Sequence, residues 1–290
     1  MLHRYVLHNG RIQEAAQNTL SCGQVGLLSG WGVFSTLRVA DGVLFAFERH
    51  WARIARDAAA LHVPLPGDPE SVRLKLLELV DANRAYNSTL RLVIVRNGGG
   101  MWAGPPTGRA ADVIALTADT KDWGEGVTLA SQADARHAAC AFAGAKVLSW
   151  AMNLTWLEMA QERGFDEAVL LNERGEVAEC TSANIFIANG GDVWTPPLRS
   201  GCLPGITREL LLGEIHAPGI EVTEKVLTLA DLESAEEVFI TSTTRDLLPV
   251  LRIEGKQVGP KRDTQHALGK AFREYLSRYV AQHKQPQVAL

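Results

Sequence analysis

The succession of segments predicts an α+β fold in two domains. Strand-like and helix-like stretches are mixed, without the regular strand–helix–strand rhythm of a doubly wound sheet. The second half carries two consecutive hairpin patterns, 167–180 and 184–196, which favours antiparallel pairing. Between the halves lies KDWGEG (121–126), short, polar and glycine-containing, the composition of a domain junction. The domains are therefore expected at 1–120 and 127–290, with the junction at 121–126.

The elements follow in order. Residues 43–47 (VLFAF) read as a strand. The segment FERHWARIARDAAAL sets Trp51, Ile54, Ala58 and Leu61 at helical spacing, which predicts a helix over 47–61. A second helix follows Pro69, carrying Val72, Leu76 and Leu79, and RLVIVR (91–96) reads as a buried strand. Glycine and proline make 97–108 a loop, and ADVIALTA (111–118) is the next strand. After the junction come a strand at 127–131, a helix near 153–163 closed by Gly164, and the two hairpins. LPGITRELLLGEI is a glycine turn entering a helix, EEVFIT (236–241) is a strand running into the hydroxyl-rich turn STTRD, and a helix near 264–282 follows.

Composition removes several functional classes. With 46% hydrophobic and 21% charged residues the chain has the make-up of an ordinary globular protein. A net charge of −4 with interleaved signs offers no basic face to nucleic acid or to an acidic membrane. The four cysteines lie far apart without a CxxC pair, and the eight histidines lack HxxxH or HExxH spacing. No disulfide framework and no metal site is expected, and a reducing, cytoplasmic setting suits the chain. The opening residues do not read as a secretory signal, and no apolar run has the length of a bilayer span.

Five places could carry chemistry. At Gly205 a tight turn opens a helix with Ile206, Thr207 and Arg208; its free amides, the helix dipole and a threonine hydroxyl suit an anion. Taken alone, such a turn is more often a plain helix boundary. Thr241-Ser242-Thr243-Thr244 offers four hydroxyls after a strand, although most such turns are merely capped. Arg53 sits between Ala52 and Ile54; pointing inward it needs an anion, and pointing outward it is a surface charge. Lys146 stands in FAGAKVLSW among small and apolar neighbours, where desolvation makes an amine a better nucleophile. Glu179 closes the strand before Cys180, Thr181, Ser182 and Asn184, and could equally be a plain hairpin residue.

The order of these pieces is more specific than any one of them. KVLSWAMN, GFDEAVLLNERGEVAECTSANIF, VWTPPLRSGCLPGITRELL and TSTTRDLLPV, preceded by GLLSGWGVFSTLRVADG and FERHWARI, resemble the fold-type IV (class IV) pyridoxal phosphate aminotransferases over nearly the whole chain. The resemblance implies two α+β domains with pyridoxal 5'-phosphate at the domain interface, and a protein that is at least a homodimer. It implies that Lys146 is the Schiff-base lysine and proton shuttle, and that Glu179 holds the pyridine nitrogen protonated. Arg53, Ile206, Thr207 and Thr243 match the phosphate site, and Leu203 the residue beneath the ring. Thr244 and Arg245 match the turn whose amides approach the substrate carboxylate. A non-catalytic relative would be marked by loss of Lys146 or Glu179, and both are present.

Three subclasses compete. Arg91 and GMWAGPP resemble the L-branched-chain aminotransferases, but Ser29 and Thr89 stand where tyrosines of that pocket are expected, and Phe34-Ser35-Thr36 replaces its FEG motif. Phe34-Ser35-Thr36, with its Thr36, and ECTSAN resemble aminodeoxychorismate lyases, which usually carry an asparagine that TSTTRDLLPV lacks. D-amino acid aminotransferases share the STT turn, yet Met101 stands in place of their carboxylate-binding arginine, and Arg38 is the available substitute. The reading that follows is transamination between a small, hydrophobic L-amino acid and 2-oxoglutarate. The lyase, making 4-aminobenzoate and pyruvate, and the D-amino acid enzyme are its alternatives.

Overall fold

The computed structural model describes residues 1–17, 20, 24–99 and 108–284. Met101 and the rest of the GMWAGPP stretch lie outside the described residues, as does Cys22. The chain forms two compact units. One comprises Met1–Lys121, Lys146–Trp150 and the chain from Leu276; the other comprises Asp122–Ala145 and Ala151–Tyr275.

The first unit contains β1 (Leu2–His8), β2 (Arg11–Glu14), α1 (Val25–Ser29), β3 (Gly32–Ala40), β4 (Val43–Leu44), α2 (Phe47–Ala60), α3 (Pro69–Asn83), β5 (Ser88–Arg96) and β6 (Ala111–Ala118). Its strands make one sheet in the order β2-β1-β6-β5-β3-β4, antiparallel throughout. Side chains alternate across a strand, so Val33, Leu37 and Val39 of β3 join Leu90, Leu92 and Ile94 of β5 on one face. That face is covered by Ile54 and Ala58 of α2 and by Val72, Leu76 and Leu79 of α3, closing a core. Asp68 caps α3 by accepting the Ser71 amide at 3.0 Å. The strand expected at 43–47 stops at Leu44, because Ala46 takes a left-handed φ of 52° and turns the chain into α2.

Lys146–Trp150 belongs to this unit, whereas the sequence placed it with 127–290. Val147 bridges Val33, the Phe34 amide donates to the Lys146 carbonyl at 3.2 Å, and the Leu148 amide donates to the Gly32 carbonyl at 2.9 Å. A chain distant in sequence thus lies along the start of β3, a pairing that local composition cannot announce. Gly32 permits it, since a Cβ there would lie 2.5 Å from both the Ile94 oxygen and a Leu148 methyl. A polar hub lies at the same end of the sheet, since Asp112 is in register with Val95 and Val95 with Gly32. Asp112 accepts from Asn9, Asn97, Arg109, Gln24 and His8, at 2.9 to 3.3 Å.

The second unit contains β7 (Val127–Arg136), α4 (Ala151–Glu162), β8 (Glu167–Asn172), β9 (Val177–Cys180), β10 (Asn184–Asn189), β11 (Asp192–Thr195), α5 (Ile206–Gly213), β12 (Glu221–Glu224), α6 (Leu229–Ser234), β13 (Glu237–Ser242), β14 (Asp246–Ile253) and β15 (Lys256–Gln257). The last helix is α7 (Asp263–His283), whose residues to Tyr275 belong to this unit. Its sheet runs β12-β11-β10-β13-β14-β7-β8-β9, with β15 on β14. Both predicted hairpins are present as β8–β9 and β10–β11. The pairs β14–β7, β7–β8 and β11–β12 are parallel. Ile185, Ile187, Val238, Ile240, Leu248 and Val250 pack on one face, while Phe186 and Phe239 stack at 5.2 Å on the other. Among the described residues no helix is long and apolar enough to cross a membrane, and no group of His, Cys, Asp or Glu could hold a metal ion.

Candidate active site

In the first unit α2 and β3 bring several of the candidate residues together. His50, Arg53 and Asp57 recur at three and four residues, so they share the buried face of α2. Arg53 Nη2 donates to Ser35 Oγ at 2.9 Å, which settles the alternative left by the sequence: the arginine points inward. Ser35 Oγ also lies 2.8 Å from His50 Nδ1. Burial, with Arg53 and Lys146 nearby, pushes the His50 imidazole well below its ordinary value and keeps it neutral. One turn along, Asp57 Oδ2 accepts the Lys146 backbone amide at 3.0 Å. The helix therefore meets β3 through Arg53 and Ser35 and holds the Lys146 backbone through the Asp57 carboxylate.

The opposite face of β3 presents Phe34, Thr36 and Arg38. Thr36 is paired with Arg91 of β5, and paired residues of antiparallel strands project to one side, so Arg91 joins them. Lys146 Nζ rests 4.5 Å from the Phe34 ring centre and 4.6 Å from that of Trp150; the two rings meet edge to face at 5.4 Å. The Arg91 guanidinium lies 4.7 Å from the Phe34 ring. Lys146 and Arg91 thus meet at the Phe34 ring, with Thr36 and, further along the strand, Arg38 on the same face of β3.

In the second unit Glu179 on β9 is buried. Its Oε1 accepts from Arg136 Nε at 3.1 Å and its Oε2 from the Leu203 amide at 3.0 Å. A carboxylate has about four acceptor sites, so room remains for a further donor. The Leu203 carbonyl accepts Asn184 Nδ2 at 2.8 Å, fixing the chain that enters α5. Asn184 Oδ1 fills the space a Cβ on Gly205 would need, at 2.0 Å, which explains the glycine. Gly205 gives α5 no side-chain cap, so the amides of Ile206 and Thr207 open the helix without one. Arg208, the last residue of GITR, is buried and ties the helix to the Pro196 carbonyl and to Glu224.

The turn after β13 is closed by the Arg245 amide donating to the Ser242 carbonyl at 3.2 Å, so that amide serves the turn itself. Trp123 Nε1 donates to the Thr244 carbonyl at 3.1 Å. Thr243 lies between these two anchored residues. Arg245 extends a buried guanidinium to Glu167 at 3.2 Å.

Each unit, taken by itself, carries groups whose chemistry suits a phosphorylated pyridine aldehyde: the first has the Lys146 amine, and the second has Glu179 with spare acceptor capacity and the uncapped N-terminus of α5. Thr241, cross-strand from Asn184, has a buried Oγ1 with no hydrogen-bond partner among the described residues, as expected of a hydroxyl awaiting a ligand. The sequence reading missed Ser35, His50, Asp57, Arg136 and Asn184. A signal existed for two of them, since His50 and Asp57 share a helix stripe with Arg53; Arg136 and Asn184 acquire meaning only through pairing.

The class IV amino-transferase family model matches residues 32–253. A D-alanine aminotransferase from Bacillus licheniformis is 32% identical over 88% of this chain and 90% of its own. A putative branched-chain-amino-acid aminotransferase from Methanocaldococcus jannaschii is also 32% identical, over 87% and 89%. Among solved structures, the branched-chain aminotransferase of Thermoproteus uzoniensis with norvaline is 27% identical, has a TM-score of 0.86, and the match covers 96% of this chain and 98% of that one. The family match, the relatives and the shared fold together place this chain in the class IV aminotransferase family, whose enzymes work with pyridoxal 5'-phosphate.

Proposed function

We propose that this chain exchanges an amino group between a small, hydrophobic L-amino acid and 2-oxoglutarate. The observation that carries the reading is the face of β3 around Phe34. Phe34 and Trp150 offer apolar surface beside the Lys146 amine, the Arg91 guanidinium lies at the Phe34 ring, and Arg38 follows on the same face of β3, so that the two arginines would serve the second carboxylate of the acceptor.

When bound, pyridoxal 5'-phosphate supplies the electron sink for the charge left at the substrate α-carbon. Lys146 would hold it through its amine and take the proton from the substrate α-carbon. Glu179 would keep a proton on the pyridine nitrogen, braced by Arg136 and the Leu203 amide. Arg53, the start of α5 with Ile206 and Thr207, and Thr243 would bind the phosphate, and Leu203 would pack against the ring. The turn at Thr244 and Arg245 would receive the substrate α-carboxylate, with Thr36 beside the reacting carbon. A cytoplasmic homodimer belongs to the same proposal. The free cysteines Cys140, Cys180 and Cys202 and the exposed Met152, Leu154 and Met159 of α4 support it.

Equal identity to a D-alanine aminotransferase supports a second reading, the D-amino acid enzyme. The test is a panel of L- and D-amino acids given singly to the cofactor-loaded protein, with 2-oxo acid release measured, then 2-oxoglutarate added. Release from hydrophobic L-amino acids with recycling by 2-oxoglutarate is expected. Release only from D-amino acids selects the second reading. No release, with aminodeoxychorismate giving pyruvate and 4-aminobenzoate, replaces both with the lyase. Borohydride reduction followed by peptide mapping should locate the pyridoxyl group on Lys146, and Lys146→Ala should show none.

A further inference from the structure

Arg245 is the charged residue of the turn proposed to receive the substrate carboxylate, yet its guanidinium is aimed elsewhere. Its side chain is 6% exposed and pairs with Glu167, whose side chain is 1% exposed. Nη1 donates to the Ser182 carbonyl at 3.1 Å, and the guanidinium lies 3.8 Å from the centre of the Trp123 ring. Glu167 also accepts from the Thr181 amide at 3.2 Å, the Thr181 hydroxyl, the Ser182 hydroxyl at 2.8 Å and the Ala168 amide at 3.0 Å. The positive charge is thus neutralised internally by a carboxylate surrounded by donors. A buried pair of this kind is weak evidence for stability, and removing either member would leave an uncompensated charge; here its hydrogen bonds hold the guanidinium in one place.

What it fixes is one peptide unit. The carbonyl of Thr244 is held by the Trp123 indole and the amide of Arg245 by the Ser242 carbonyl, so the Thr244–Arg245 peptide plane is anchored at both edges. Arg245 in turn lies over the ring whose N–H performs half of that anchoring. We propose that Arg245, clasped by Glu167 and Trp123, is a positioning residue that orients the Ser242–Arg245 turn to accept an α-carboxylate through its peptide dipoles, with no guanidinium offered to the substrate. The inference rests on the transaminase reading and adds to it the device that sets carboxylate recognition.

Arg245→Lys keeps a charge but loses the planar stack and the forked donation. The cofactor-loaded variant should show KM for the best amino acid, and Ki for 4-methylpentanoate as a simple carboxylate probe, raised together by about tenfold. Its kcat should stay within about threefold of wild type and its cofactor absorbance should be unchanged. Trp123→Phe retains a ring but removes the N–H donor, and a rise of about threefold in the same two constants is expected. If Arg245→Lys does not fold, Trp123→Phe carries the test alone. Unchanged constants, or a fall in kcat with KM and Ki unmoved, would overturn the positioning role. A wild-type protein that turns over no amino acid would instead sink the transaminase reading on which it rests.

Discussion

Gly205→Ala is a one-methyl perturbation whose consequences can be followed atom by atom. Gly205 has φ −69°, so alanine meets no backbone strain. The new Cβ would instead lie 2.0 Å from Asn184 Oδ1 and 3.2 Å from its Cγ. Asn184 is only 5% exposed and has little room to withdraw. Moving it breaks the 2.8 Å hydrogen bond to the Leu203 carbonyl and loosens the Leu203 amide that serves Glu179. Overpacking of this size costs about 1–3 kcal/mol, and a buried acceptor left without its donor about 1–3 kcal/mol. Together they should cost roughly 2–6 kcal/mol, a fall in Tm on the order of 3–10 °C for a chain of this size. Calorimetry on the cofactor-free protein measures it without involving catalysis. The decisive comparison is a double-mutant cycle with Asn184→Ala, which removes the obstructing oxygen. In that background Gly205→Ala should cost less than about 1 kcal/mol. An equal cost in both backgrounds would refute the clash as the cause.

Three further outcomes are expected. For Asp112, burial works to raise the carboxyl, but hydrogen bonds from Asn97, Asn9, Arg109 and His8 outweigh it and hold it at about 2. Its folded value lies below its unfolded one, so its contribution is present above about pH 4 and lost as pH falls through 2. Asp112→Asn should cost roughly 1–2 kcal/mol at pH 6 by urea unfolding, and a cost that persists unchanged at pH 2 would contradict the linkage. Glu179→Gln should lower kcat about a hundredfold or more while cofactor affinity stays within about threefold; near-normal turnover would remove Glu179 from the chemistry. Ser35→Ala takes the shared hydroxyl from both Arg53 and His50. Phosphate grip should weaken by about tenfold in equilibrium dialysis of the cofactor, and unchanged affinity would show that Arg53 is held without it.

Local patterns were legible wherever chemistry and periodicity coincide. The stripe of α2, both hairpins of the second unit and the glycine entering α5 could be read because neighbours in sequence decide them. The partners of the site residues could not. Ser35 gains its role by facing α2, Arg136 by ending a strand that runs parallel to β8, and Asp57 by catching a backbone amide eighty-nine positions away. The grouping of the lysine segment with the first unit was hidden for the same reason: a short edge pairing with β3 decides it, and no composition signal marks an edge. The inward turn of Arg53 was open in the sequence because its flanking residues suit either orientation; only the position of Ser35 settles it.

Strand β3 has a practical consequence for anyone wishing to redesign this protein. Ser35 belongs to the row that grips Arg53, while Thr36 and Arg38 belong to the row that confronts Lys146. Because a pleated strand sends neighbours in opposite directions, libraries confined to 36, 38 and 91 would vary the row that the proposed function gives to the substrate and leave the anchoring row untouched. Two tasks that share nine consecutive residues can drift apart independently, one position at a time.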